Sequence, residues 1–303
     1  MFLQQLINGL TLGSVYALIA LGYTMVYGIL ELINFAHGEI YMLGAYLGII
    51  LLGFFTAIGL TSHSLSLSII LTLLLTIIFC SSYGFTIEKI AYKPLRRSPR
   101  LSPLISAIGV SIFLQNYVML TQGATDKVFS SIFGNAGFDF LSTRITYLQL
   151  AIILVSAVIM LLLHTFILKT KTGKAMRAVA QDKTMASLLG INIDTMISVT
   201  FIIGSGLAAI AGVMVAMYYG LVNYYIGYTA GIKAFTAAVL GGIGSIPGAM
   251  LGGLILGLAE SLGASYILRE YIEYKDAFAF IILIIILLVK PEGLLGKTSE
   301  EKI

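Results

Sequence analysis

The sequence predicts an all-α, polytopic membrane protein with about eight or nine transmembrane helices, several of them short, broken and glycine-rich. Three observations predict it. Of 303 residues, 58% are hydrophobic and only 11% are charged, whereas a soluble domain carries about 25% charged residues. Mean hydropathy is +0.99, and a chain this apolar would expose large adhesive patches in water. Apolar runs long enough to cross the bilayer core, about 20 residues each, recur along the whole chain. There is no Trp, but 17 Tyr and 16 Phe supply interfacial anchors.

The first candidate span, residues 6–30, follows the opening "MFLQQLINGL". That opening has no basic n-region, and no convincing A-x-A cleavage site follows, so it reads as a helix rather than a signal peptide. Spans 37–59 and 65–88 come next. Cys80 lies in the second of these and is the single cysteine; it supports no disulfide framework and no cysteine-based metal site, and reads as a small buried filler. Spans 101–120, 146–168 and 196–218 follow. Spans 228–242 and 247–264 are short and rich in glycine, and 272–289 is the last. Small-residue rows such as Gly204, Gly206, Ala208, Ala209, Ala211 and Gly212 let helix backbones approach closely in lipid. The cluster "GGIGSIPGAMLGG" combines Gly-Gly, Gly-Ser and a Pro, which interrupts a helix.

Cations set the orientation. Residues 88–100 hold Lys89, Lys93, Arg96, Arg97 and Arg100; residues 169–183 hold Lys169, Lys171, Lys174, Arg177 and Lys183. The tail from Lys290 holds three more. The intervening segments 121–147 and 264–276 carry only Lys127 with Arg144, and Arg269 with Lys275. The basic loops therefore face the cytoplasm, the C-terminus lies inside and the N-terminus outside. The net charge of +4 comes from these short loops rather than from a nucleic-acid-binding surface, so no nucleic-acid partner is expected.

"INFAHGEIYMLGAYLG", residues 33–48, places Asn34, His37, Gly38 and Glu39 between two long apolar runs. A charged residue at a membrane helix centre costs about 2.5–3.5 kcal/mol and is a functional candidate by default. A second region, "IAGVMVAMYYGLVNYYIGYTAGIKAFTAAVLGG", also runs from a small-residue helix through an aromatic, glycine-containing break, around Asn223, into another helix. By the orientation above the two units start on opposite sides, the signature of an inverted repeat whose breaks mark a transport pathway.

Catalytic chemistry is not legible. His37 and Glu39, at i and i+2, point to nearly opposite helix faces, unlike the i, i+4 histidines of a zinc helix, so no metal site is expected. "GLLGKTS" has Pro291 where a P-loop requires its first glycine. No Ser-His-Asp arrangement stands out, and no cofactor is implied.

The longest polar loop, "KTKTGKAMRAVAQDKTMASLLGINIDTM", is basic and long enough for two short helices. Gly190 suits a helix C-terminus, and Asn192 and Asp194 suit the start of the next helix. Ala175, Val179, Met185, Leu188 and Leu189 can form an apolar side fitting a partner's groove.

"GKAMRAVAQDKTMASLLGIN" resembles the cytoplasmic coupling loop of ABC-importer permeases of the branched-chain amino acid family. "QLINGLTLGSVYALIALGYTMVYGILELINFAHGEIYMLGAYLG" resembles that family's N-terminal signature, and "AFTAAVLGGIGSIPGAMLGG" its later glycine-rich segment. Together they cover both halves of the chain in matching order. The resemblance implies a single permease domain over residues 1–303 in a bacterial inner membrane, with residues 169–195 as a coupling loop within it. It implies two cytoplasmic ATPases docked at Lys174, Arg177, Asp182, Ala186, Gly190 and Ile191. It implies a second, LivM-like permease and an external binding protein that delivers leucine, isoleucine or valine. Asn34, His37, Gly38, Glu39 and Asn223 then line or brace the path. Urea and amide importers have closely similar permeases and stand as the alternative substrate class. A self-sufficient secondary transporter or channel would need more buried ionisable groups than Glu39, Lys233 and Glu260.

Overall fold

The computed structural model describes residues 2–96, 98–99, 101–129, 136–140, 143–267 and 274–296. The chain opens with α1 (Phe2–Leu30), then turns at Glu31, whose φ is 58°, into a non-helical segment, residues 31–36. α2 (His37–Ala57), the single turn α3 (Leu60–His63) and α4 (Leu65–Ile87) follow. α4 runs on into a π-helical turn, Glu88–Tyr92, and a 3-10 turn, Lys93–Leu95. α5 (Leu101–Gln122) leads to a stretch holding β1 (Lys127–Val128), β2 (Gly137–Phe140) and β3 (Thr143–Thr146). α6 (Tyr147–Lys169) starts on a capping box in which Thr146 and Gln149 satisfy each other's backbone N–H groups.

Two short helices, α7 (Lys171–Gln181) and α8 (Lys183–Leu188), precede α9 (Ile193–Tyr219). β4 (Leu221–Val222) pairs antiparallel with β1, which places the ends of α5 and α9 on one side of the molecule. α10 (Ile226–Gly241), α11 (Ile246–Leu262) and α12 (Lys275–Val289) complete the chain. Ser245 caps α11, accepting from the Gly248 N–H at 3.2 Å. The tail folds back so that Leu294 N–H donates to the Leu240 carbonyl at 2.8 Å.

Seven described helices are long and apolar enough to cross a membrane, counting the extensions of α4 and α11, and α10 is a shorter apolar helix. The polytopic helical architecture and the breaks after Leu30 and Gly241 match the expectation from sequence. Residues 272 and 273 of the last expected span lie outside the described residues. The paired strands β1–β4 and β2–β3 were not legible, because two- to four-residue pairings leave too short a periodicity to detect.

α1 and α9 are the most buried of the long helices. α1 packs along α11 as α9 packs along α4, and α2 packs on α9 as α10 packs on α1. Five long apolar helices precede α9, so the unit α9–α10–α11 runs opposite in sense to α1–α2–α4. Small residues make these contacts possible: a Cβ at Gly257 would lie 2.2 Å from the Gly13 amide nitrogen, and one at Gly44 would lie 2.8 Å from Ala209 Cα.

A charged cluster joins α1, α10, α11 and α12 inside this apolar frame. Lys233 Nζ of α10 contacts Glu260 Oε1 of α11 at 2.7 Å and Asp276 Oδ1 of α12 at 2.6 Å, and Tyr16 OH of α1 donates to Glu260 Oε2 at 2.9 Å. Pairing offsets the desolvation that an isolated buried charge would suffer.

Candidate substrate pathway and coupling surface

The two helix breaks are built alike. Asn34 Oδ1 accepts from the Ala36 N–H at 3.2 Å, and the Asn34 carbonyl accepts from His37 N–H at 3.0 Å. In the second break Asn223 Oδ1 accepts from the Tyr225 N–H at 3.0 Å, and the Asn223 carbonyl accepts from Ile226 N–H at 3.3 Å. Each is an Asx turn that reverses the chain and launches a helix three residues on. The local sequences, "NFAHG" and "NYYIG", share an Asn, an aromatic residue and a Gly at the second helical position.

Those glycines, Gly38 and Gly227, bring the two helix starts together. A Cβ at Gly38 would sit 2.3 Å from the Gly227 carbonyl oxygen, and one at Gly227 would sit 2.5 Å from Glu39 Oε2. The first turns of α2 and α10 therefore converge, with their partly positive ends side by side. Glu39 lies at this junction and is 1% exposed. Ser111 Oγ of α5 donates to its Oε1 at 3.0 Å, and its Oε2 has no hydrogen-bond donor among the described residues.

His37 points elsewhere. Its ring meets Tyr23 edge-on with centroids 4.8 Å apart, and a Cβ at Gly22 would lie 2.2 Å from its Nε2. His37 thus braces α2 against α1, while Glu39 faces α5. Asn34 is buried and held by Tyr92, whose OH donates to Oδ1 at 2.6 Å. Asn223 is exposed on the connection between β4 and α10 and is not brought to Asn34.

Ser111 and Gly227 border a cavity of ≈ 610 Å³ between α5 and α10. Its polar wall is Tyr23, Ser111, Gln115, Tyr225 and Tyr228; Phe35, Ile112, Ile232, Phe235 and Leu283 make much of the apolar wall. Sequence reasoning missed Ser111, Gln115 and Gly227. The available signals were a Ser and a Gln four apart in an apolar run, hence on one helix face, and the repeated Asn-aromatic-x-x-Gly.

The segment after α6 projects as two short helices. Thr170 caps α7, and Asp182 Oδ1 caps α8 by accepting from Met185 N–H at 2.9 Å. Gly190 has φ 80°; its N–H reaches the Ser187 carbonyl at 2.9 Å and Ile191 N–H reaches the Ala186 carbonyl at 3.0 Å, a Schellman ending. The expected apolar side divides. Val179 and Ala186 are buried against the protein's own helices, whereas Met185, Leu188 and Leu189 are 56%, 78% and 74% exposed. Lys174 and Arg177 are exposed, Arg177 also donating to the Leu168 carbonyl at 3.3 Å. Ile191 is partly buried. Among the described residues no cluster of His, Cys, Asp and Glu has the makings of a metal site.

A bundle of long apolar helices, two broken helices meeting at a buried carboxylate and a projecting two-helix segment together define a multi-pass membrane permease. The chain belongs to the family described as branched-chain amino acid transport system / permease component, whose model matches residues 5–287. It is 52% identical to the high-affinity branched-chain amino acid transport system permease protein LivH of Salmonella typhimurium, over 100% of this chain and 98% of that one. It is 51% identical, over the same shares, to BraD of Pseudomonas aeruginosa, named as a permease protein of the same kind of system. The LivM permease of Escherichia coli is 24% identical over 96% of this chain and 70% of its own length.

Proposed function

We propose that this chain is the membrane-spanning permease subunit, of the LivH type, that imports leucine, isoleucine and valine in an ATP-binding-cassette importer. One observation carries the reading: the buried Glu39 carboxylate stands behind Ser111 and Gly227 at the wall of a largely apolar cavity. A branched-chain amino acid is a zwitterion with an apolar side chain. Glu39 Oε2 offers an acceptor for its ammonium group, the converging N-termini of α2 and α10 favour its carboxylate, and Phe35, Ile112 and Ile232 suit its side chain. Urea and simple amides carry no charge for Glu39 to neutralise, which disfavours the alternative substrate class.

The whole chain forms one permease domain, and residues 169–195 are its coupling segment. Met185, Leu188 and Leu189 form the apolar contact with a cytoplasmic ATPase, ringed by Lys174, Arg177 and Asp182; Ala186, Gly190 and Ile191 hold the turn that presents them. Two ATPases supply the energy. A second, LivM-like permease faces the cavity from the side of α5 and α12, and an external binding protein delivers the amino acid. The chain resides in the bacterial inner membrane with its C-terminus in the cytoplasm.

The test is competition. ATP-driven uptake of labelled leucine by the purified complex should be suppressed by excess isoleucine or valine and untouched by urea or acetamide. Suppression by urea with indifference to valine would move the chain to the amide class.

A further inference from the structure

The coupling segment and the Glu39 junction lie apart in the chain, yet a continuous set of polar contacts joins them. α9 begins two residues after Ile191, capped by Asn192, and its first turn carries Asp194. Asp194 Oδ2 pairs with Lys93 Nζ at 2.8 Å, and Asp194 Oδ1 accepts from Arg96. The other arm of the Arg96 guanidinium donates to Glu88, so one planar fork bridges both carboxylates. Glu88 is fully buried and also accepts from Ser198 Oγ at 2.9 Å. It is the first residue of the π-helical turn Glu88–Tyr92.

The far end of that turn reaches the junction twice. Tyr92 OH donates to Asn34 Oδ1, the same oxygen that forms the Asx turn launching α2. The ring of Tyr92 packs on Phe201 of α9 with centroids 5.5 Å apart, which fixes where the hydroxyl points. The Ala91 carbonyl accepts from Ser106 Oγ at 3.2 Å, tethering α5 five residues before Ser111, the donor to Glu39. Both partners of the Glu39 site, the start of α2 and the face of α5, are therefore tied to one short segment.

We propose that the π-helical turn Glu88–Tyr92 relays the state of the coupling segment to the Glu39 junction, with Tyr92 as the positioning residue that sets the start of α2. The inference rests on reading Met185, Leu188 and Leu189 as the ATPase contact. The movable element is the turn itself. A π turn holds more residues per turn than an α-helix, so its conversion to α geometry rotates the chain beyond it about the helix axis. Displacing Asp194 pulls on Arg96 and Glu88 at one end; the hydrogen bond to Asn34 moves at the other. Energy reaches the pathway through this chain of hydrogen-bonded contacts rather than through a rigid rod.

The experiment compares Tyr92→Phe and Asp194→Asn, singly and together, with Gly190→Val, all in the assembled importer. Tyr92→Phe keeps the ring on Phe201 and removes only the hydroxyl. Asp194→Asn acts at the exposed end of the relay and serves should the buried variant fail to accumulate. Each should retain its ATPases and unstimulated ATP hydrolysis, while the stimulation of hydrolysis by loaded binding protein, and leucine uptake, fall about tenfold, within the range set by allosteric coupling. The double variant should fall no further than the lower single, because the contacts act in series. Wild-type stimulation and uptake in both single variants would overturn the relay, as would loss of the ATPases from Tyr92→Phe. Gly190→Val separates the two ideas: if it keeps its ATPases and transports normally, the docking assignment fails; if it sheds them while the relay variants behave as wild type, only the relay fails.

Discussion

Gly38 and Gly227 stand backbone to backbone, each leaving room for the other where the two broken helices begin. A Cβ at Gly38 would lie 2.3 Å from the Gly227 carbonyl oxygen and 2.9 Å from Gly231 Cα. Those neighbours are backbone atoms of a packed helix and cannot swing aside as a side-chain tip can. The contact is where the first turns of α2 and α10 meet, and a Cβ at Gly227 would lie 2.5 Å from Glu39 Oε2.

Alanine at Gly38 or Gly227 should therefore cost about 1–3 kcal/mol in stability through overpacking and should depress leucine uptake further than stability accounts for. Gly53→Ala, on the same helix with nothing within 4 Å of the new Cβ, is the control and should leave both unchanged. Thermal unfolding of the purified permease and uptake at matched expression check the pair.

The Lys233 cluster makes a second, purely structural prediction. Lys233→Met leaves Glu260 buried beside Tyr16 without its cation, which should cost about 3–5 kcal/mol. Lys233→Met with Glu260→Met should recover most of that loss, because apolar replacement of a buried pair is often neutral or better. Equal melting temperatures for the single variant and the wild type would show that the cluster contributes nothing.

At Gly190 the surroundings are open, with nothing within 4 Å of where a Cβ would stand, so any penalty there is conformational. The φ of 80° costs an ordinary L-residue about 1–2 kcal/mol, and Asn tolerates it best. Gly190→Val should release the ATPases, whereas Gly190→Asn should keep them. Co-purification of ATPase with each variant reads this directly; loss with both would place a contact surface, rather than a turn, at Gly190.

Much of the helical frame was legible because apolar length and loop charge are properties of single segments. The break before His37, the two short helices α7 and α8 and the Gly190 turn each carry local signals: Asn, Gly and helix formers in order. The site was less legible because it is assembled across segments. Glu39 was conspicuous as a lone carboxylate, but its donor Ser111 lies 72 residues away in an unremarkable apolar run. Asn223 drew notice for its break, yet Gly227, four residues on, makes the contact. Between α6 and α9, periodicity could not tell the side of α7 that packs inward, with Val179, from the side of α8 that faces out, with Leu188, because the turn at Asp182 resets the helix phase.

The orientation is open to chemical labelling. Cysteines introduced at Ser98 and Thr184 should resist an impermeant thiol reagent in intact cells, since both lie in basic loops assigned to the cytoplasm. A cysteine at Val128, which is 72% exposed on β1, should label from outside. The reverse pattern would invert the topology.

The most direct measurement is ATP-driven leucine uptake by proteoliposomes holding the full importer with either Glu39 or Glu39→Gln. The variant should insert and assemble at least as well as wild type, because it removes a membrane-buried charge of about 2.5–3.5 kcal/mol insertion cost. Its ATPase content and the leucine affinity of the binding protein should be unchanged. Uptake should nevertheless fall by about tenfold or more, the loss expected when a charge-assisted contact of about 1.5–3 kcal/mol is removed. Uptake at the wild-type rate by an equal amount of assembled Glu39→Gln complex would contradict the account.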